Sequence, residues 1–201
     1  MIKREETAVL IIASRLLSYP DETFPAYESA MDELTAEEVQ SKDLKQQLKK
    51  SYRALFQLSR QERSETYVAT FDLKSKLGLY LTAHELGDSS KRGAALIKLQ
   101  KMINQAGFER EGDELADYIP MLLEFLAIAP LTKDHERLSR RLAVAVQRML
   151  NHIEDTNPYQ AILYVLMRFV FPVPTKEEVE KLEFDREEAD LEELPFPIMY
   201  Q

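Results

Sequence analysis

Apolar residues in this chain recur at intervals of three and four, stretch after stretch, and no window of comparable length alternates strictly between apolar and polar. A period near 3.6 gathers those residues on one stripe of a helix, whereas a half-buried strand needs a period of two. The chain is therefore restricted to helices. Val9, Ile12, Leu16 and Leu17 form the first stripe, and Tyr19-Pro20-Asp21 stops it. Thr35-Ala-Glu-Glu38 has the form of a capping box, ahead of a face built from Leu44, Leu48, Tyr52, Leu55 and Phe56. Tyr67, Phe71, Leu73, Leu77, Tyr80, Leu81 and His84 make a third unit that Gly87 closes as a C-cap glycine.

The second half repeats the pattern. Ser90 is the predicted cap of a helix carrying Ala95, Leu99, Met102, Ile103 and Ala106, which Gly107 ends. Asp113 opens the next segment, and Pro120 inside it splits the segment into a short turn over 114–118 and a helix that starts at the proline. Asp134 is the predicted cap for Leu138, Leu142, Ala145, Val146, Met149, Leu150 and Ile153, and Asn157-Pro158 opens a last helix with Ile162, Leu163, Leu166 and Phe169. No repeat of fixed length occurs. The fold class that follows is all-α, a single-domain helical bundle of about seven or eight helices. At 201 residues the chain buries roughly 70% of the surface its unfolded form exposes, enough for a core without staples.

Charge is uneven. Of the formal net charge of −9, residues 175–201 carry −7, with ten acids against three bases. This divides the chain into a helical body, 1–174, and an acidic, proline-containing tail, 175–201, that begins after Phe171-Pro172-Val173-Pro174. The tail's composition suits a flexible terminus, and the alternative is a tail docked through Phe196, Ile198 and Tyr200. An acidic balance argues against a broad nucleic-acid surface. The apolar run from Ala8 to Ala13 is too short for a signal sequence or a membrane span, so the expectation is an unprocessed cytoplasmic protein without membrane insertion.

The chain has no cysteine, which excludes disulfides, thiolate metal sites and a cysteine nucleophile. His84, His135 and His152 show no metal-ligand spacing, and no phosphate loop or nucleophile elbow occurs. No metal, no cofactor and no catalysis are expected. Acids and rings do meet where helices start or end, in Tyr67-Val-Ala-Thr-Phe-Asp72 and Glu114-Leu-Ala-Asp-Tyr-Ile-Pro120. One reading makes each a cap with a packed ring. The other makes them the lip of a groove for an apolar, basic peptide helix, in which rings supply contact area and carboxylates select charge.

Several of these residues also carry a family resemblance. Tyr67-Val-x-Thr-Phe-Asp72, Leu79-Tyr80-Leu81-Thr82, Gly87-Asp88, Arg92-Gly93-x-Ala95-Leu96, Ala106-Gly107, Glu114-Leu-x-Asp117-Tyr118-x-Pro120 and Leu123-Glu124-Phe125 occur in this order. The opening Ser14-Arg15-Leu16-Leu17-x-Tyr19-Pro20 fits the same pattern. Together they resemble the delta subunit of respiratory nitrate reductase, the NarJ-type chaperones within the TorD-like group. The chain departs from the common form at Ala116, where proline is often seen, and at Ser89-Ser90-Lys91, where a more basic turn is frequent.

The resemblance implies a system-specific assembly chaperone. Such a protein binds the N-terminal segment of the catalytic (alpha) subunit in the cytoplasm and assists molybdenum cofactor insertion before membrane docking. The alternative it leaves is a chaperone of the same fold for another molybdoenzyme, one exported with a twin-arginine signal. The family's Glu-x-x-Asp-[His/Tyr] signature, implicated in client recognition, falls on Glu114, Asp117 and Tyr118. The expected client site is Glu114, Asp117, Tyr118 and Pro120, with Tyr67, Phe71 and Asp72 as a second contribution, on a chain expected to be monomeric.

Overall fold

The computed structural model describes residues 4–110 and 112–181. Among them nine α-helices follow one another: α1 (Arg4–Leu17), α2 (Tyr27–Glu38), α3 (Lys42–Phe56), α4 (Arg60–Tyr67), α5 (Leu81–Leu86), α6 (Arg92–Gln105), α7 (Ile119–Ile128), α8 (Lys133–His152) and α9 (Gln160–Phe169). A 3-10 turn at Phe24–Ala26 precedes α2, and a π turn at Val68–Asp72 continues α4. The all-α expectation holds. None of these helices is long and apolar enough to cross a membrane.

Helix α9 is the axis of the bundle. Ile162, Leu163, Val165, Leu166 and Met167 are all buried, Tyr164 and Arg168 stay exposed, and the helix packs against α1, α3 and α8. Helix α1 lies along both α7 and α9, so its apolar residues Val9, Leu10, Ile12, Ala13, Leu16 and Leu17 are buried on more than one side. Each fully buried aliphatic side chain stabilises the fold by about 1.5–3 kcal/mol. The amphipathic helices α3 and α8 close the bundle with one apolar face each.

Several local starts differ from the sequence expectation. Thr35 does not cap α3; it is buried inside α2, and Ser41 accepts from Leu44 N at 3.3 Å instead. The stripe from Tyr67 to His84 is not one helix. It passes through the π turn and an irregular segment in which Leu73 is exposed, and it resumes as α5 at Leu81. Helix α6 starts at Arg92 without a side-chain cap, and Ser89, not Ser90, accepts from Lys91 N at 3.3 Å. Thr132, two residues before Asp134, caps α8 through His135 N at 3.2 Å. Residues 113–118 are not helical, and α7 begins at Ile119 with Pro120 in its first turn. Gly87 and Gly107 do close α5 and α6 with positive φ, of 53° and 87°.

At the start of the acidic segment, residues 176–181 are helical, and Thr175 and Glu178 bond each other reciprocally, with backbone N–H to side-chain oxygen distances of 2.8 and 3.2 Å. Glu178 also accepts from Arg140 on α8 at 2.8 Å. Phe196, Ile198 and Tyr200 lie outside the described residues.

Candidate functional site

The site is organised by a short cross-link between distant parts of the chain. Leu81 N donates to Asp117 O at 2.9 Å and Ile119 N to Leu79 O at 2.8 Å, which pairs Tyr80 with Tyr118 as an isolated antiparallel bridge. The bridge fixes the starts of α5 and α7 side by side. It also brings the Tyr80 and Tyr118 rings to a centroid separation of 5.6 Å.

Asp117 completes this joint from below the surface. Its carboxylate is 0% exposed; Oδ2 accepts from Thr82 N at 3.1 Å and from Thr82 Oγ1 at 2.5 Å. Thr82 is the second residue of α5, where an N-cap side chain normally satisfies the open N–H groups. Asp117 performs that capping from across the bridge. Arg92 on α6 joins the cluster, with Nε donating to Thr82 Oγ1 at 3.1 Å and Nη2 lying 3.5 Å from Asp117 Oδ2. Its guanidinium carbon stands 5.9 Å from the centroid of the Tyr80 ring. Oδ1 of Asp117 is buried without a hydrogen-bond partner.

Above Asp117 lies an aromatic wall. The hydroxyls of Tyr67 and Tyr118 are 3.3 Å apart, and the Tyr67 hydroxyl donates to Leu17 O at 3.3 Å. Tyr67 meets Phe71 edge-on at 5.0 Å, and Phe71 meets Tyr159 at 4.8 Å. The π turn allows this stacking, and it is pinned from α9's side by Asn157, whose Nδ2 donates to Thr70 Oγ1 at 2.8 Å. Burial raises the tyrosine hydroxyls of Tyr67, Tyr118 and Tyr80 above their usual range; the Tyr118 hydroxyl adds to the rise at Tyr67, and the bond to Glu114 adds to it at Tyr80.

Around the wall several side chains are exposed. Tyr19 is 53% exposed and rests edge-on against Tyr67 at 5.3 Å. Leu115 is 42% exposed, one turn before Tyr118, whose N–H donates to Leu115 O at 3.0 Å. Glu114 is exposed and accepts from the Tyr80 hydroxyl at 2.7 Å. Asp72 is exposed at the end of the π turn and close enough for its charge to act on Tyr67.

Of the seven residues named from the sequence, Tyr67, Phe71 and Tyr118 thus meet in one wall, and Glu114 and Asp72 lie at the surface around it. Pro120 is buried in the first turn of α7, and Asp117 faces the protein interior. Tyr19, Tyr80, Thr82, Arg92 and Leu115 were not named as site residues. An aromatic beside the Pro20 helix stop is a usable signal for Tyr19. Nothing local marks the pairing of Thr82 with a carboxylate thirty-five positions away.

Two of the three histidines are buried with a ring nitrogen beside a backbone carbonyl. His84 Nε2 lies 2.6 Å from Gly78 O and its Nδ1 3.1 Å from Arg148, and His135 Nε2 lies 3.1 Å from Leu126 O. Among the described residues no group of three or more His, Asp and Glu side chains is placed to hold a metal ion.

Comparison with known proteins agrees with this architecture. The profile of the family described as nitrate reductase delta subunit matches residues 27–155, a span that contains the bridge, Asp117 and the wall residues Tyr67, Phe71 and Tyr118. The chain is 30% identical over 168 residues to the probable nitrate reductase molybdenum cofactor assembly chaperone NarJ of Bacillus subtilis (strain 168), covering 83% of this chain and 90% of that protein. It is 29% identical over 162 residues to the nitrate reductase molybdenum cofactor assembly chaperone NarJ of Escherichia coli (strain K12), covering 79% and 67%. Matched by the family profile and by these relatives over most of its length, the chain belongs to the nitrate reductase delta subunit family.

Proposed function

We propose that this chain is a cytoplasmic assembly chaperone, not an enzyme, that binds the N-terminal segment of a nitrate reductase catalytic subunit and assists molybdenum cofactor insertion before that subunit docks at the membrane. The observation that carries the client-binding part is the surface over the Tyr80–Tyr118 bridge, where exposed apolar side chains, Tyr19 and Leu115, sit among the carboxylates of Glu114 and Asp72. The relatives' names point to nitrate reductase and its molybdenum cofactor, and the N-terminal segment as the bound part is our reading.

An amphipathic client helix would lay its apolar face on Tyr19, Leu115 and the half-buried Tyr80 ring. Affinity comes from that burial at about 25 cal/mol per Å², less the cost of ordering the peptide. Glu114 and Asp72 favour a client with basic residues flanking its apolar face. The rigid joint beneath matters because anchor side chains held in place lose little freedom on binding. In this reading the cofactor is cargo for the client, and the chaperone holds the client open without ligating it.

The test is titration of a synthetic peptide of the catalytic subunit's N-terminal segment by fluorescence anisotropy. A Tyr19→Ala/Leu115→Ala double variant should bind on the order of tenfold more weakly, as expected for losing two contact side chains. Glu114→Gln should reduce the salt dependence, and Ile97→Ala, an exposed apolar change on α6, should bind like wild type. Unchanged affinity in both site variants, with helicity intact, refutes this placement.

A further inference from the structure

We propose that the outer face of α3 is a second, separate docking surface, one that adsorbs to anionic phospholipid headgroups. Helix α3 carries five bases, Lys42, Lys45, Lys49, Lys50 and Arg53, against a single acid, Asp43. Its apolar side, Leu44, Leu48, Tyr52 and Leu55, is buried against α2 and α9, so the bases project from the opposite side. The five line one shallow open depression together with Gln46, and no carboxylate lines it.

Neutralisation from within the protein is slight. Lys45 Nζ donates to Ala36 O at 3.1 Å, and Lys49 lies 3.7 Å from Asp32 in an exposed pair. Lys42, Lys50 and Arg53 form no ion pair with any described residue, and Asp43 is taken up by Arg168 at 2.8 Å. The chain as a whole is acidic, at −9, so a concentrated basic strip is not a by-product of composition. At physiological salt, charges more than about 8 Å away are largely screened, so the strip's own charge governs what approaches it.

The chemistry of the strip distinguishes among anionic partners. Four of the five bases are lysines, compact point charges on flexible stems, not the planar forks that read phosphate or carboxylate bidentately. The depression has no ring for stacking bases, which single-stranded nucleic acid uses. Asp43 on the same helix is joined through Arg168 to one exposed ring, Tyr164 on α9, and an amphipathic ring of that kind suits the headgroup layer. A fluid anionic surface accepts such diffuse positive charge without a matching pocket. This surface does not depend on the client site, since none of its residues belongs to the wall around Tyr118.

Co-sedimentation of the full chain with vesicles tests it. Vesicles containing phosphatidylglycerol should take up the protein, and pure phosphatidylcholine should not, with the partition falling as salt rises. A Lys42→Glu/Lys50→Glu/Arg53→Glu variant should lose at least on the order of a hundredfold in partition coefficient, roughly fivefold per base removed. A Lys98→Glu/Lys101→Glu/Arg137→Glu variant, changed by the same charge elsewhere, should still bind. Should the first variant fail to fold by circular dichroism, Lys42→Gln/Lys50→Gln/Arg53→Gln replaces it with the same expectation. Absence of uptake by the anionic vesicles, equal uptake by neutral ones, equal loss in both reversal variants, or tighter binding to polyglutamate or DNA than to the vesicles overturns the proposal.

Discussion

Replacing Asp117 discriminates a cap for α5 from a reader of the client. Asp117→Ala removes the acceptor for the Thr82 N–H and O–H groups and the partner 3.5 Å from Arg92, in a place 0% exposed. Hydrogen bonds to a charged group contribute about 1.5–3 kcal/mol each. Against this stands relief of a buried carboxylate whose Oδ1 has no partner, so the sum is not additive. A net loss of about 3 kcal/mol is the working figure, at the low end for breaking a buried charged cluster. For a domain of this size that lowers Tm by about 6–12 °C. Asp117→Asn keeps one acceptor for Thr82 and should cost about half as much. Differential scanning calorimetry measures both, and Thr82→Val with the double variant should show a coupling of about 1–3 kcal/mol. Because Asp117 offers no surface, the folded protein should keep its affinity for the client peptide. A melting temperature within about 2 °C of wild type together with lost peptide binding would refute the capping argument and make Asp117 a reader of the client.

Two further perturbations test other joints. Hydrogen bonds hold the carboxyls of Asp21 (from Thr23), Glu62 (from Ser59) and Glu178 (from Arg140) below the usual carboxylate range, so they contribute stability above that range that is lost as pH falls through the depressed values; Glu62→Gln should flatten the acid limb of a pH-dependent melting curve, and an unchanged limb counts against it. Tyr159 is buried with its hydroxyl unpartnered, so Tyr159→Phe should leave stability unchanged or raise it by up to about 1 kcal/mol in urea unfolding, and a clear destabilisation would mean that the hydroxyl bonds something the static arrangement does not show.

What was legible in the sequence follows from range. Helices α1, α3, α6, α8 and α9 announce themselves because a buried face at 3.6-residue spacing is a local signal, and Leu99, Ile103, Leu138 and Leu142 are indeed buried. Helix α4 was not, because its sequence RQERSETY has almost no apolar stripe, and its start is fixed by the Ser59–Glu62 capping box. Helix α2 was missed because only Met31 and Thr35 are fully buried, with Tyr27 and Leu34 partly so, and Thr35 looked like a cap when it is a core residue. The stripe from Tyr67 to His84 misled for a different reason. A π turn and an irregular loop can keep apolar residues arriving at threes and fours while the chain reverses, and periodicity alone does not register the break.

The site divides along the same line. Tyr67, Phe71 and Tyr118 were identifiable as rings near helix ends, and the structure packs them as one wall. Their depth was not legible, because burial depends on which distant segment covers them. Local spacing offered two readings of the acid beside a ring, cap or groove lip; in the structure Asp117 caps, while Glu114 lies at the surface with its carboxylate on Tyr80. Both depend on the Tyr80–Tyr118 bridge, which joins segments far apart in sequence through two backbone hydrogen bonds that no side-chain pattern encodes. Once that bridge is known, the segment from Glu114 to Tyr118 reads as a single device. Its aspartate locks the start of α5 against the loop before α7, and that lock presents Glu114 and Leu115 outward beside Tyr19. A substitution at Asp117 and one at Glu114 should therefore differ in kind, the first lowering stability and the second changing selectivity at unchanged stability.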